Sequence, residues 1–395
     1  MSNIRSFHVV REKSDKEINF SNKIKKHRFS HYLRIIMCIL VAVVIIVLLV
    51  FQYKNQIFTE IVVANKVERL NVSNTSYLDN NGNIVIYSKD GISSMDSKGK
   101  VLWNLTYEMQ KPIVHRNGGV VAVCDYNGHI VYIIDTKGKV SQIDTNLPIR
   151  DFSVSKDSLV AAILEDSSNS WVNLYDATGT LLVEAKATMS KTGYPLAVTL
   201  SGEVMGVSYF YVDSNTMKSS ITYYNFGGVG ENKADHIVSS YDYKDSVVPL
   251  LQFMDEQTAF AVADNRLMFF TGSKKPTGTA DMLLSENIQG VYSGGQYVGL
   301  VFFDSTGQCK YRIDIYDNQG KLVSSHPFNM DFKDILISNE QIMIYNESQC
   351  LLLNVNGKEK FSGEFNDNII FMTTTDSPRK FVVLTEQSLE TIELK

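Results

Sequence analysis

Asp96-Ser-Lys-Gly-Lys-Val-Leu-Trp103 follows the apolar run Ile92-Ser-Ser-Met95 and reads as a strand end, a tight turn and the start of the next strand. The Asp carboxylate accepts from backbone N–H groups two or three residues on, while the Gly takes a positive φ at no steric cost. The phrase returns at Asp135-Thr-Lys-Gly138, Asp176-Ala-Thr-Gly179, Asn225-Phe-Gly-Gly228, Asp317-Asn-Gln-Gly320 and Asn354-Val-Asn-Gly357. Around the first two copies, Asp90-Gly91 and Asn127-Gly128 separate further β-runs and mark hairpins.

Successive copies lie 39, 41, 49, 92 and 37 residues apart. The longest gap divides in two if Thr271-Gly272, after Leu267-Met-Phe-Phe270, is a decayed copy. Four strands in about 40–45 residues is the period of a propeller blade. The spacing therefore predicts an all-β fold, a β-propeller of eight blades, with seven as the alternative. The eighth blade would be assembled from the two ends of the chain. Ile369-Ile-Phe-Met372, Phe381-Val-Val-Leu384 and Leu389-Glu-Thr-Ile392 supply three strands, and Val67-Glu-Arg-Leu-Asn-Val72 the outer one. Such closure removes an unpaired sheet edge that would otherwise aggregate.

Ahead of the repeats, Ile35 to Phe51 carries no charge and no polar side chain beyond Cys38. As a helix it would rise about 25 Å, enough to span a bilayer with its flanking residues. Its length and the long segment before it favour an uncleaved anchor over a signal peptide. Residues 1–34 hold 9 basic and 3 acidic side chains, and the rest 29 basic and 40 acidic. The basic cluster Lys23-Ile-Lys-Lys-His-Arg28 with Arg34 orients the tail toward the cytoplasm. The division is then a disordered cytoplasmic tail (1–31), a transmembrane helix in the lipid bilayer (32–53), a connector (54–65) and an extracytoplasmic propeller (66–395). The acidic body argues against binding of nucleic acid or an anionic wall polymer.

With its weaker copies, the Asp96–Trp103 phrase resembles the repeat of quinoprotein-alcohol-dehydrogenase-like propellers, also found in outer-membrane assembly lipoproteins. An N-terminal anchor joined to such a propeller resembles an uncharacterised family of Gram-positive membrane proteins, known only as a domain of unknown function. The resemblance implies a propeller in which Trp103 docks between blades. The family repeat has one more residue, a Thr, before the Gly. Gln142, Glu184, Ser324 and Phe361 stand near the Trp position in other copies, which speaks against carrying over a cofactor.

No local signature of catalysis stands out. His115, His129, His236 and His326 fall in different repeats without a second ligand at zinc spacing. Leu78-Asp-Asn-Asn-Gly-Asn83 lacks the Glu of a calcium loop, and Gly227-Gly-Val-Gly230 does not open a helix. Cys124, Cys309 and Cys350 form no CxxC; a Cys309–Cys350 bridge and buried free thiols are the two options. Asn71, Asn74, Asn104 and Asn346 head glycosylation sequons that matter only in a eukaryotic secretory pathway. One aromatic-rich unit stands apart, with Tyr209, Tyr211, Tyr241 and Tyr243 as candidate partner contacts beside their reading as core. The expectation is a non-enzymatic scaffold at the cell envelope, without cofactor, contacting an envelope or membrane protein. The alternatives are a solute- or glycan-binding sensor and a redox quinoprotein.

Overall fold

Five copies of the turn share one geometry. Asp96 Oδ1 accepts from the N–H of Lys98 and of Lys100, each at 2.9 Å. Gly99, at φ +81°, donates its N–H to Asp96 O at 3.0 Å. Asp135, Asp176 and Asp317 repeat both carboxylate bonds, and Asn354 keeps the one from Lys358. Gly138, Gly179, Gly320 and Gly357 lie at φ +80°, +87°, +79° and +78°. The side-chain oxygen thus reaches two and four residues on, rather than two and three. The fourth N–H belongs to the residue entering the next strand, so the carboxylate ties the turn to that strand.

The other two copies form different connections. Gly228 is not among the glycines at positive φ. Asn225 instead accepts from Gly227 N–H at 2.8 Å and donates to Lys274 O at 2.9 Å. The chain then runs through a short 3-10 turn at Ala234–His236 before the next strand opens at Ile237. Gly272 sits at φ +135° and donates to Gln257 O.

The computed structural model describes residues 20–68, 74–187, 193–338, 340–375 and 377–395. Residues 1–19 of the tail, Asn71 and residues 69–72 of the expected closing strand lie outside the described residues. The strands form eight four-stranded antiparallel sheets. Blades 1 to 7 cover residues 76–106, 112–144, 149–187, 194–244, 250–283, 288–328 and 334–364. Blade 8 joins 369–394 to the N-terminal strand Ile61–Glu68. The chain is an eight-bladed β-propeller.

Each pair of neighbouring blades encloses its own apolar core. Blades 1 and 2 share Val85, Ile92, Val121 and Val123; blades 8 and 1 share Val382, Leu384 and Ile84. The six remaining interfaces repeat the arrangement. Both faces of every sheet are therefore packed, as in stacked sheets of any kind.

The blade-to-blade peg is explicit at Trp103. A Cβ built on Gly138, in the turn of blade 2, would meet Trp103 Cβ at 3.1 Å and Cδ1 at 3.2 Å. The glycine lets the indole-bearing strand lie flat against the next turn. Val67 takes this place against Gly99, and Ser324 against Gly357. Hydroxyls add bonds across the same joints, with Thr391 Oγ1 donating to Ser97 O at 3.4 Å and Ser324 Oγ to Val355 O at 2.6 Å.

Ring closure differs from the sequence expectation in register. The outer strand of blade 8 runs Ile61–Glu68, from Ile61↔Leu394 to Glu68↔Ser388, and so begins six residues before Val67. The chain ends are tied as well. Thr59 and Glu60 N–H donate to Lys395 O at 2.8 and 3.0 Å, and Lys395 N–H returns to Glu60 O at 3.0 Å. Phe58, 5% exposed, packs among blade 7 and blade 8 residues where the eighth turn would have stood.

Residues 20–56 belong to a unit separate from the propeller. Its helix runs Phe20–Asn55, so residues 20–31, expected as disordered tail, are helical. Extending an existing helix costs far less than nucleating one, and the apolar run already supplies the nucleus. His31–Leu48 is long and apolar enough to cross a membrane, by length and composition.

Candidate functional site

The first strands of successive blades lie side by side around the axis. Between those of blades 1 to 6 lies a cavity of about 560 Å³. Its wall mixes apolar and polar side chains. Val114, Val154, Val198 and Leu251 line it together with His115, Arg116, Asn117, Asp151, Ser153 and Gln252.

Polar bonds stitch these inner strands to one another. Asp79, in blade 1, accepts from the hydroxyl of Thr373 in blade 8 and from Gly82 N–H at 3.1 Å. Arg116 Nη2, in blade 2, stands 3.6 Å from Asp79 Oδ2. His115 Nε2, one residue earlier, stands 3.6 Å from Asp151 Oδ1 of blade 3, and its ring meets Phe152 edge-on at 4.8 Å. Asn117 Nδ2 donates across to Leu200 O of blade 4 at 3.4 Å. Thr199 Oγ1 accepts from Phe253 N–H of blade 5 at 3.1 Å, and Ser293 Oγ of blade 6 donates to Gln252 Oε1 at 3.5 Å. Histidine, arginine and two carboxylates thus converge from three blades. No spacing along the chain marks them; each lies in the first strand of its repeat.

Outside the cavity, charged clusters hold blades together. Arg150 binds Glu165 at 2.5 Å, Tyr126 Oη at 3.1 Å and Asn127, joining blades 2 and 3. Arg312 forks onto Glu286 and Asp314 at 2.8–3.3 Å, and Glu286 hydrogen-bonding raises its already high pKa. In blade 2, the Lys139 N–H first, then that of Lys137, holds the Asp135 carboxyl below its usual range. At the joint of blades 7 and 8, burial raises the Asp334 carboxyl above it.

The candidate tyrosines resolve unevenly. Tyr209 and Tyr243 are buried, Tyr209 sharing a 2.8 Å hydroxyl bond with Tyr224, so neither can present its ring to a partner. Tyr241 is half-buried; its hydroxyl donates to Pro276 O and accepts from Gly278 N–H, each at 3.1 Å. Its ring packs on Phe270 at 5.2 Å. It bridges blades 4 and 5 much as Trp103 bridges blades 1 and 2. Tyr211 alone stands near the tip of a long hairpin, Val204–Asp213 with Thr216–Asn225.

His115 and His129, expected in different repeats, both belong to blade 2, yet the four histidines keep separate neighbourhoods. His129 is fixed by Thr145 O at 3.0 Å, the His236 ring meets Phe226 at a tilt, 5.5 Å between centroids, and burial lowers the pKa of His326. Cys309 and Cys350 are free thiols that line one 620 Å³ hollow between blades 6 and 7; burial pushes the Cys350 thiol up to about 12.

The propeller is similar to several solved structures at low identity. It matches the computationally designed Ika8 protein at 11% identity and TM-score 0.53, covering 86% of this chain and 100% of that one. It matches apo AztD from Citrobacter koseri at 13% and 0.50, covering 73% and 85%. BamB from Moraxella catarrhalis gives 11% and 0.49, covering 85% and 98%. Such likeness concerns the fold alone. No curated protein matches the sequence. The model of a family of unknown function, DUF5711, matches residues 54–394, the whole propeller with its approach, and the chain belongs to that family.

Proposed function

We propose that this protein is a single-pass membrane protein whose propeller stands outside the cytoplasm as a non-catalytic scaffold for another envelope or membrane protein. The resemblance to Gram-positive membrane proteins points to that envelope. The described side chains from His31 to Leu48 are all exposed, an apolar surface that lipid would cover at a gain. Basic residues on its N-terminal side support a cytoplasmic position for that end.

The observation that carries the scaffold reading is the blade 4 hairpin. Its two strands are ten residues each, and among the described residues the flanking strands pair only as far as Phe210 and Lys218. Beyond them Val212 faces Met217 across the hairpin, at 57% and 53% exposure. The two-residue turn Ser214–Asn215, both at positive φ, holds that pair in place. Scattered exposed apolar residues are ordinary on a surface; what supports a contact here is that this pair is carried on a hairpin projecting beyond its paired neighbours.

The test is site-specific photocrosslinking in intact cells, with the photoreactive residue at Met217 or, as control, at Thr136 in the turn of blade 2. A discrete adduct from position 217 that disappears with Val212→Asp, and none from 136, is expected. Equal adducts from both positions, or none from 217, would remove the hairpin as a partner contact.

A further inference from the structure

We infer that the axial cavity binds an uncharged, hydroxyl-rich ligand of about disaccharide size. Its volume, about 560 Å³, lies within the range of small-molecule sites. Its charges are largely satisfied within the wall. Arg116 faces Asp79, whose oxygens also receive Thr373 and Gly82. Asp79, behind the lining, offsets the one guanidinium, and Asp151 is the carboxylate in the lining itself, which leaves the wall unfavourable to an anion.

The rest of the lining selects for hydroxyls. Asp151 Oδ1 is engaged by Phe152 N–H at 2.9 Å and faces His115, which leaves its second oxygen to accept from a ligand. Ser153, Asn117, Ser293 and Gln252 add hydroxyls and amides, groups that both donate and accept. A sugar hydroxyl likewise does both, so one ring can answer a mixed wall that an alkyl or ionic ligand cannot. Leu78, Val114 and Leu250, which line the cavity and are only half-buried, offer apolar contact to the C–H faces of such a ring. This site shares no residue with the blade 4 hairpin, so it stands or falls apart from the scaffold reading.

The experiment is isothermal titration of the full chain in a detergent without a sugar headgroup. Uncharged probes are maltose and N,N′-diacetylchitobiose; glucose 6-phosphate is the anionic probe. At least one uncharged disaccharide should bind with a Kd at or below about 1 mM. Asp151→Asn and Gln252→Leu should each weaken it about tenfold or more, while Val212→Asp should leave it unchanged. Glucose 6-phosphate should not bind. The inference is overturned if neither disaccharide binds, if glucose 6-phosphate binds as tightly, or if both cavity variants bind like the parent. A parent-like melting temperature for either cavity variant shows that weakened binding is not lost folding.

Discussion

Alanine at Gly320 should destabilise the ring markedly, whereas alanine at Gly228 should not. Gly320 lies at φ +79°, where an L-residue costs roughly 1–2 kcal/mol. Its new Cβ would stand 2.6 Å from Ala280 Cβ and 3.0 Å from Phe269 Cδ2. Phe269 is fully buried and cannot retreat, so overpacking adds roughly 1–3 kcal/mol. Loss of unfolded-state freedom offsets about 0.4–1 kcal/mol of this, leaving a net loss of roughly 1–5 kcal/mol. At Gly228 neither term applies, since φ is not positive and nothing lies within 4 Å of the added Cβ. There only the unfolded-state effect remains, a gain of about 0.4–1 kcal/mol. Gly295 separates the two terms: it lies at φ +56° with nothing within 4 Å, so its change should fall between. Urea unfolding of the full chain, followed by the fluorescence of Trp103 and Trp171, measures all three. The reasoning fails if Gly228→Ala is as damaging as Gly320→Ala, or if Gly320→Ala is no worse than Gly295→Ala.

Two further outcomes follow from ring closure and from burial. Phe58→Ala should cost about 3–5 kcal/mol and speed hydrogen exchange in 388–394, the strand paired with Ile61–Glu68, but not in 120–125; unchanged exchange in 388–394 would count against the clamp. Asp334 has a folded pKa raised above its ordinary value by burial. Its contribution is thus fully present below the unfolded pKa and lost as pH rises through the folded one. Asp334→Asn should therefore raise the urea midpoint at pH 7 and leave it nearly unchanged at pH 3, and an equal effect at both would refute the assignment.

Much of the architecture was legible because the turn is a local device. Asp135 and Gly138 need only each other and the intervening N–H groups, so the phrase survives in the sequence wherever the geometry does. The Asn225 copy shows the limit: the residue types persist, while a connection lengthened to 226–236 no longer brings Gly228 into the turn. The closing strand was displaced for a different reason. Residues on both sides of Glu68 alternate in ways that suit a strand, and only the pairing of Ile61 with Leu394, some 330 residues away in the chain, selects between registers.

The tyrosines illustrate a third limit. Alternation in a strand assigns residues to two faces, and in a one-layered sheet one face would meet water. Between propeller blades both faces are core, so Tyr209 and Tyr243 sink into different interfaces. What the sequence determined by itself was the unit: turn chemistry, strand alternation, the repeat period and the apolar helix, all set by residues within a few positions of one another. What only the tertiary structure decided was convergence, namely which strand closes the ring and which side chains share the axis. Asp79, Arg116, His115 and Asp151 meet because eight sheets turn around one centre, a geometry that no local spacing encodes.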